Sequence, residues 1–106
     1  MQTTKLDNVI FDIKTILAQN PAPIKRVGLF GSFVKGKFHE NSDIDIAIEY
    51  DESNIFNFEG FVAFCKTCEM LADGMQAIYK RKIDVIDIEE RPGSFLDEIR
   101  DDMVWI

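Results

Sequence analysis

The chain is short of the residues that build soft-metal sites and covalent nucleophile systems. It has two cysteines and one histidine in 106 residues. A tetrahedral zinc site needs four ligands, and Cys65-Lys66-Thr67-Cys68 has no second pair to complete it. The pair falls on the apolar stripe of an expected helix, so both thiols are read as core residues. His39 has no serine or cysteine nucleophile placed for it to serve, and is read as a loop residue. No apolar run reaches the roughly 18 residues of a membrane span, so no membrane partner is expected. The opening Met1-Gln2-Thr3-Thr4-Lys5-Leu6-Asp7 lacks a basic segment followed by an apolar run. No secretory signal is therefore expected, and the thiols are read as reduced and cytoplasmic. Bases are also scarce: 12 Lys and Arg stand against 19 Asp and Glu, a net charge of −7. Such a surface repels a nucleic-acid backbone, and direct nucleic-acid binding is not expected. An enzyme that handles nucleotides is not excluded, because bound metal ions screen a local group of carboxylates. Repeats, low-complexity tracts and linkers are absent, which leaves one globular domain over residues 1–106.

What is present alternates between helical and strand periods. Thr4-Lys5-Leu6-Asp7 reads as a capping box, and Leu6, Val9, Ile10, Ile13, Ile16 and Leu17 form one helical stripe. Asn20-Pro21-Ala22-Pro23 ends that helix. Ile24 to Phe30 reads as a strand running into Gly31-Ser32, with a short helical turn from Phe33 to about Gly36. After a turn at Asn41-Ser42, residues 43 to 50 alternate strictly. This sets Ile44, Ile46, Ile48 and Tyr50 on one face, and Asp43, Asp45, Ala47 and Glu49 on the other. Residues 55 to about 79 are helical in period. Phe61, Phe64, Cys65, Cys68, Leu71, Met75 and Ile78 lie near one face, and Gly74 is a point of bending. Lys82 to Ile88 is a third strand. Arg91-Pro92-Gly93 turns the chain, and Ser94 is expected to cap a last helix running to about Met103. The order predicts a small α/β domain, helices packed on a three-stranded mixed sheet.

Two short motifs carry chemistry. Asp43 and Asp45 leave the same strand face about 7 Å apart at the backbone. Carboxylates that close repel unless a cation lies between them, and hard oxygen ligands select magnesium or manganese. From Asp-x-Asp alone, a solvated acidic edge is an equally good reading. Gly31-Ser32 follows a strand and opens a turn. Its free amides and hydroxyl suit phosphate, with Lys35 and Lys37 just beyond. The Walker pattern is absent, and a lone Gly-Ser is weak evidence.

Together the motifs are specific. Leu29-Phe30-Gly31-Ser32-Phe33-Val34-Lys35-Gly36, followed by Asn41-Ser42-Asp43-Ile44-Asp45-Ile46, resembles the minimal nucleotidyltransferases of the polymerase-β-like superfamily. The resemblance covers about residues 24 to 104, and implies a small polymerase-β-like nucleotidyltransferase fold. Many relatives carry arginine where this chain has Lys35, which keeps the charge but loses the bidentate fork. The superfamily uses a third carboxylate, and Asp84 in Arg81-Lys82-Ile83-Asp84-Val85-Ile86 matches its position. Asp87 is the rival, but its parity places it with Ile83 and Val85 on the opposite face.

The resemblance implies AMP transfer from ATP. Asp43, Asp45 and Asp84 would hold two magnesium ions, and Gly31, Ser32 and Lys35 the nucleotide. Small proteins of this kind are commonly encoded beside HEPN-domain ribonuclease toxins. That context implies an antitoxin whose acceptor is a toxin tyrosine. Two other readings stay open. One is a non-catalytic antitoxin acting by binding alone. The other is nucleotidyl transfer to a small molecule, which would need a partner chain or a homodimer to form its pocket. The Phe-rich run from Phe56 to Phe64 is read as core, and the acidic stretch from Asp97 to Asp102 as a solvated helix face.

Overall fold

In the computed structural model, residues 5–35, 43–51, 58–88 and 93–106 are described. Helix α1 spans Leu6–Gln19 and buries Val9 and Ile13 from the expected stripe. Its N-cap is Lys5, in extended conformation and without a side-chain cap. The Val9 amide already donates to the Lys5 carbonyl at 3.1 Å, so the helix begins one residue later than a Thr4 cap would set it. Thr4 itself lies outside the described residues. Asn20 closes the other end, its backbone N–H donating to Leu17 O and its side-chain Nδ2 to Ile16 O at 2.8 Å. Two terminal carbonyls that the helix leaves without partners are thereby satisfied.

Strands β1 (Ile24–Phe30) and β2 (Ile44–Tyr50) pair antiparallel, with Leu29 opposite Ile46 and Phe30 opposite Asp45. Helix α2 (Phe58–Tyr79) carries the chain back across the sheet, and β3 (Ile83–Asp87) then joins β2 in parallel. A parallel neighbour requires such a crossover. Helix α3 (Gly93–Ile99) and a single 3-10 turn (Arg100–Asp102) lead to β4 (Val104–Trp105), antiparallel to β1. The strand order is β3-β2-β1-β4, a mixed sheet of four strands rather than the three expected.

The fourth strand arises because the last helix stops at Ile99 and does not reach Met103. The Met103 amide donates to Arg100 O at 3.3 Å, the chain straightens, and Trp105 pairs with Gly28. Gly28 is needed there: a Cβ would stand 2.5 Å from Met103 Sδ. Ser94 lies inside α3 rather than capping it.

The sheet has two unequal faces. On one, Val27, Leu29, Ile44, Ile46, Ile48 and Tyr50 pack against Val9 and Ile13 of α1 and Phe64, Leu71 and Met75 of α2. The Tyr50 and Phe64 rings meet edge-on at 4.9 Å. On the other, a small island of Phe30, Ala47, Ile86 and Ile88 is covered by Phe95, Ile99 and Met103. α2 passes unbroken through Gly74, where a Cβ would lie 2.9 Å from Ile16 Cδ1. The glycine therefore serves close approach of α1 and α2 rather than a bend. The tie is completed by Thr67 Oγ1 donating to Asn20 O at 2.8 Å, and by Tyr79 OH donating to Asp12 Oδ2 at 2.6 Å.

Three readings of α2 are corrected. Cys65 is exposed and Cys68 half-buried, so the pair is not a core pair. Phe58 and Phe61 are exposed while Phe64 is buried, and Ile78 is also exposed. The buried stripe is Phe64, Thr67, Leu71 and Met75; Cys65 falls to its side, Cys68 packs at its border, and Phe61 and Ile78 lie one turn beyond its two ends. Phe56 is outside the described residues. Among the described residues no helix is long and apolar enough to cross a membrane.

Candidate active site

Three strands present their site-bearing ends at one edge of the sheet. β1 finishes at that edge and leads into Gly31; β2 begins there, just after Asp43; β3 begins there, just before Asp84. The antiparallel register brings Phe30 level with Asp45, and the parallel register sets Asp45 beside Asp84. Side chains paired across neighbouring strands leave the same face. That face is the thinly covered one, because Ile44, Ile46 and Ile48 commit the opposite parity of β2 to the main core.

Asp45 feels the two carboxylates beside it. Asp45 is held above the ordinary aspartate value, first by burial and then by the charges of Asp84 and Asp43; Lys82 opposes the rise. Lys82 Nζ lies 3.9 Å from Asp43 Oδ2. A divalent cation would relieve the charge that Asp45 carries at a disadvantage, and all-oxygen donors suit a hard ion. Among the described residues no three His, Cys, Asp or Glu side chains are gathered closely enough to hold a metal alone. This arrangement still fits magnesium, which binds through one or two carboxylates together with substrate phosphates and water.

Gly31 adopts φ +82°, and a Cβ built on it would collide with Asp45 Oδ2. Both the left-handed backbone and the contact exclude a side chain there. Residues Ser32 to Lys35 form the expected turn, closed by the Lys35 amide donating to Gly31 O at 3.2 Å. Lys35 Nζ sits 3.1 Å from Asp102 Oδ2 on the 3-10 turn. That ion pair was not foreseen, because the acidic stretch was read as a solvated face. Asp97 does fit that reading, exposed and paired with exposed Arg100. Asp87 falls opposite Ile48, on the other parity from Asp84, as strand alternation predicted. Lys37 and His39 lie outside the described residues.

Sequence reasoning also passed over Lys82. The signal was available: Lys82 stands two residues before Asp84, so it shares that residue's parity and points to the same edge.

A strand-turn and three carboxylates thus stand together on adjoining strand ends. Residues 12–106 match the family described as Polymerase beta, Nucleotidyltransferase, and the chain belongs to it. It is similar to a Methanocaldococcus jannaschii protein provisionally named a protein adenylyltransferase. The two are 29% identical over 84 residues, which is 78% of this chain and 77% of that protein. Among solved structures it is similar to a chain of a toxin–antitoxin complex with AMP-PNP, with a TM-score of 0.66 and 22% identity, over 95% of this chain and 72% of that one. It is also similar to a chain in the complex of a tri-AMPylated Shewanella oneidensis HEPN toxin with an MNT antitoxin. There the TM-score is 0.61 and the identity 18%, over 93% of this chain and 69% of that one. The resemblance read from the two motifs is therefore borne out, and the structural likenesses show a shared fold.

Proposed function

We propose that this nucleotidyltransferase transfers AMP from ATP to a hydroxyl of a partner protein, in magnesium-dependent fashion, as the antitoxin of a cytoplasmic toxin–antitoxin pair. The acceptor is a tyrosine of a HEPN ribonuclease toxin, which adenylylation silences. The observation that carries the reading is the register of Asp45 beside Asp84, with Asp43 two residues earlier and Gly31 against Asp45.

Asp43, Asp45 and Asp84 are the residues that would hold magnesium. Bound there, the ion supplies charge neutralisation for the triphosphate and acidifies an acceptor hydroxyl. Gly31 lets the phosphates approach the backbone, and the Ser32 hydroxyl donates to a phosphate oxygen. Lys35 exchanges Asp102 for phosphate when nucleotide enters. Asp84, exposed at the edge, takes the proton of the attacking hydroxyl. The acceptor oxygen attacks the α-phosphorus in line, and pyrophosphate leaves toward Gly31 and Ser32.

A protein acceptor is supported by the site's openness. Asp84 lies in the open at the sheet edge, where a hydroxyl on the surface of a folded partner could reach it. Intact-mass measurement of a HEPN toxin co-expressed with this chain tests the reading. One or more added AMP units are expected, and none with Asp43→Asn. A toxin left at its unmodified mass, yet neutralised equally by the Asp43→Asn chain, would establish binding alone.

A further inference from the structure

We propose that the open edge of β4, with the groove on either side of it, docks an extended acidic segment of a partner protein. This edge lies toward the end of the sheet away from the carboxylates, and its occupant is independent of the chemistry there. Lys25, beside the edge, precedes Gly31 by six residues, about 20 Å along the strand.

β4 is the outermost strand of the order β3-β2-β1-β4. Pairing with β1 fixes which of its backbone groups turn outward. The Ile106 amide donates to Val27 O at 2.8 Å, and Trp105 pairs with Gly28 one step on. Hydrogen-bonded and non-hydrogen-bonded pairs alternate along an antiparallel ladder, so the Trp105 amide and carbonyl face out from the sheet. An outward donor and acceptor are the groups to which an added strand pairs.

Each face of the sheet carries a groove beside this edge. On the heavily packed face, a groove of about 450 Å3 runs between α1 and β1, lined by Leu17, Ala18, Ile24 and Ile106 with Lys14 and Lys25. On the other, a pocket of about 110 Å3 is lined by Ile99, Met103 and Trp105 with Arg26 and Arg100. Successive side chains of a strand point to opposite faces, so an added strand drops them alternately into the two. Trp105 is 42% exposed, and the Arg26 guanidinium lies 3.8 Å over its ring. Tryptophan and arginine are enriched among the residues that anchor interfaces.

Charge decides the chemistry of the occupant. Four of the twelve bases line these grooves and, among the described residues, no Asp or Glu does, on a chain with 19 acids. Glu49 reaches Lys25 and Arg26, and Asp97 reaches Arg100, which sets two carboxylates against four cations. A second copy would bring the same bases to the edge, and like charges across an interface oppose pairing. Lysine at a strand edge is a common guard against such self-pairing. A nucleic-acid strand has no peptide ladder to meet Trp105, and the net charge of −7 repels it. A peptide with acidic residues interleaved among aliphatic ones satisfies the strand edge, the cations and the apolar walls together.

The test uses the isotope-labelled full chain and a capped octapeptide in which glutamate and valine alternate. On titration, the amide signals of Lys14, Lys25, Trp105 and Ile106 are expected to shift while that of Gly31 stays. At about nine-tenths occupancy the Trp105 amide should exchange with solvent about ten-fold more slowly. Lys14→Glu and Lys25→Glu, both at exposed positions, should each weaken binding about three-fold or more, with the amide spectrum otherwise unchanged. Equal binding of the octapeptide with lysine for glutamate, an unprotected Trp105 amide, or shifts centred on Gly31 would overturn the proposal. So would an equal response to a uridine octanucleotide, which would make the edge a nucleic-acid site. The same signals moving on concentration of the chain alone would assign the edge to a second copy, and would overturn it too.

Discussion

The two faces of the sheet are built from alternate residues of the same strands, yet they differ in almost every respect. One packs six strand residues under two long helices; the other carries four buried residues under one short helix and its turn. On β2 the difference is a matter of single steps: Ile44 and Ile46 are fully buried, while Asp43 and Asp45 beside them are only partly so. The heavy face fixes the register, because a slip of one residue would put three isoleucines in water and the carboxylates in the core. The light face can then hold like charges close together, a placement that does nothing for stability.

Removing chemistry from the light face should produce the largest effect. Asp43→Asn is expected to lower AMP transfer by roughly 1,000-fold, about 4 kcal/mol of barrier, with an unchanged circular dichroism spectrum. Asp84→Asn should lose transfer similarly but keep much of its nucleotide affinity. Asp87→Asn, on the opposite parity, should transfer almost normally; the reverse outcome for these two would mean the β2–β3 register is wrong.

Next in size is the heavy face. Leu71→Ala should destabilise the fold by about 2–5 kcal/mol in urea titration, as deletion from a fully packed position does. Ile86→Val on the light face should cost only about 0.5–1.5 kcal/mol. Equal losses would erase the contrast between the faces.

Gly31→Ala comes third. A left-handed backbone with a Cβ costs roughly 1–2 kcal/mol, and Asp45 must also move from the contact. Both a lower melting temperature and weaker AMP-PNP binding are expected. A change in only one of them would separate the backbone from the carboxylate contact.

The smallest effect is a gain. Asp45 is held above 3.8 in the folded chain, so the folded state keeps its proton more tightly than the unfolded chain does. The stability this lends is complete below 3.8 and is lost as pH rises through the folded value, leaving ionised Asp45 a net cost at neutrality. In divalent-free buffer, Asp45→Asn should therefore melt slightly higher at neutral pH. The difference should shrink as pH falls toward 3.8.

Much of this was legible in the sequence because it depends on period. Strict alternation from Asp43 to Tyr50 assigned both faces of β2, and the same parity separated Asp84 from Asp87. β1 came out with its bounds correct because Pro23 and Gly31 mark its ends. What escaped depends on distant contacts. β4 is two residues long, too short for any period, and packs the Trp105 side chain, with Met103 just before it, into the space that Gly28 leaves on β1. The Lys35–Asp102 pair joins segments that nothing local connects. The placing of Cys65 and Phe61 failed for a different reason: an apolar side chain at nearly helical spacing looks like core until α1 is known to cover only the Phe64–Met75 stripe.

The parallel pairing of β2 with β3 also bears on when the site comes into being during synthesis. Asp45 and its neighbour Asp84 are separated by the whole of α2, so a chain emerging from the ribosome presents the Gly31 turn and the first two carboxylates well before the third. Closing that long loop carries its entropy before any strand contact repays it. A nascent or truncated chain ending within α2 would have the Gly31 turn, Asp43 and Asp45 without Asp84. The meeting of all three carboxylates is thus withheld until the crossover has docked.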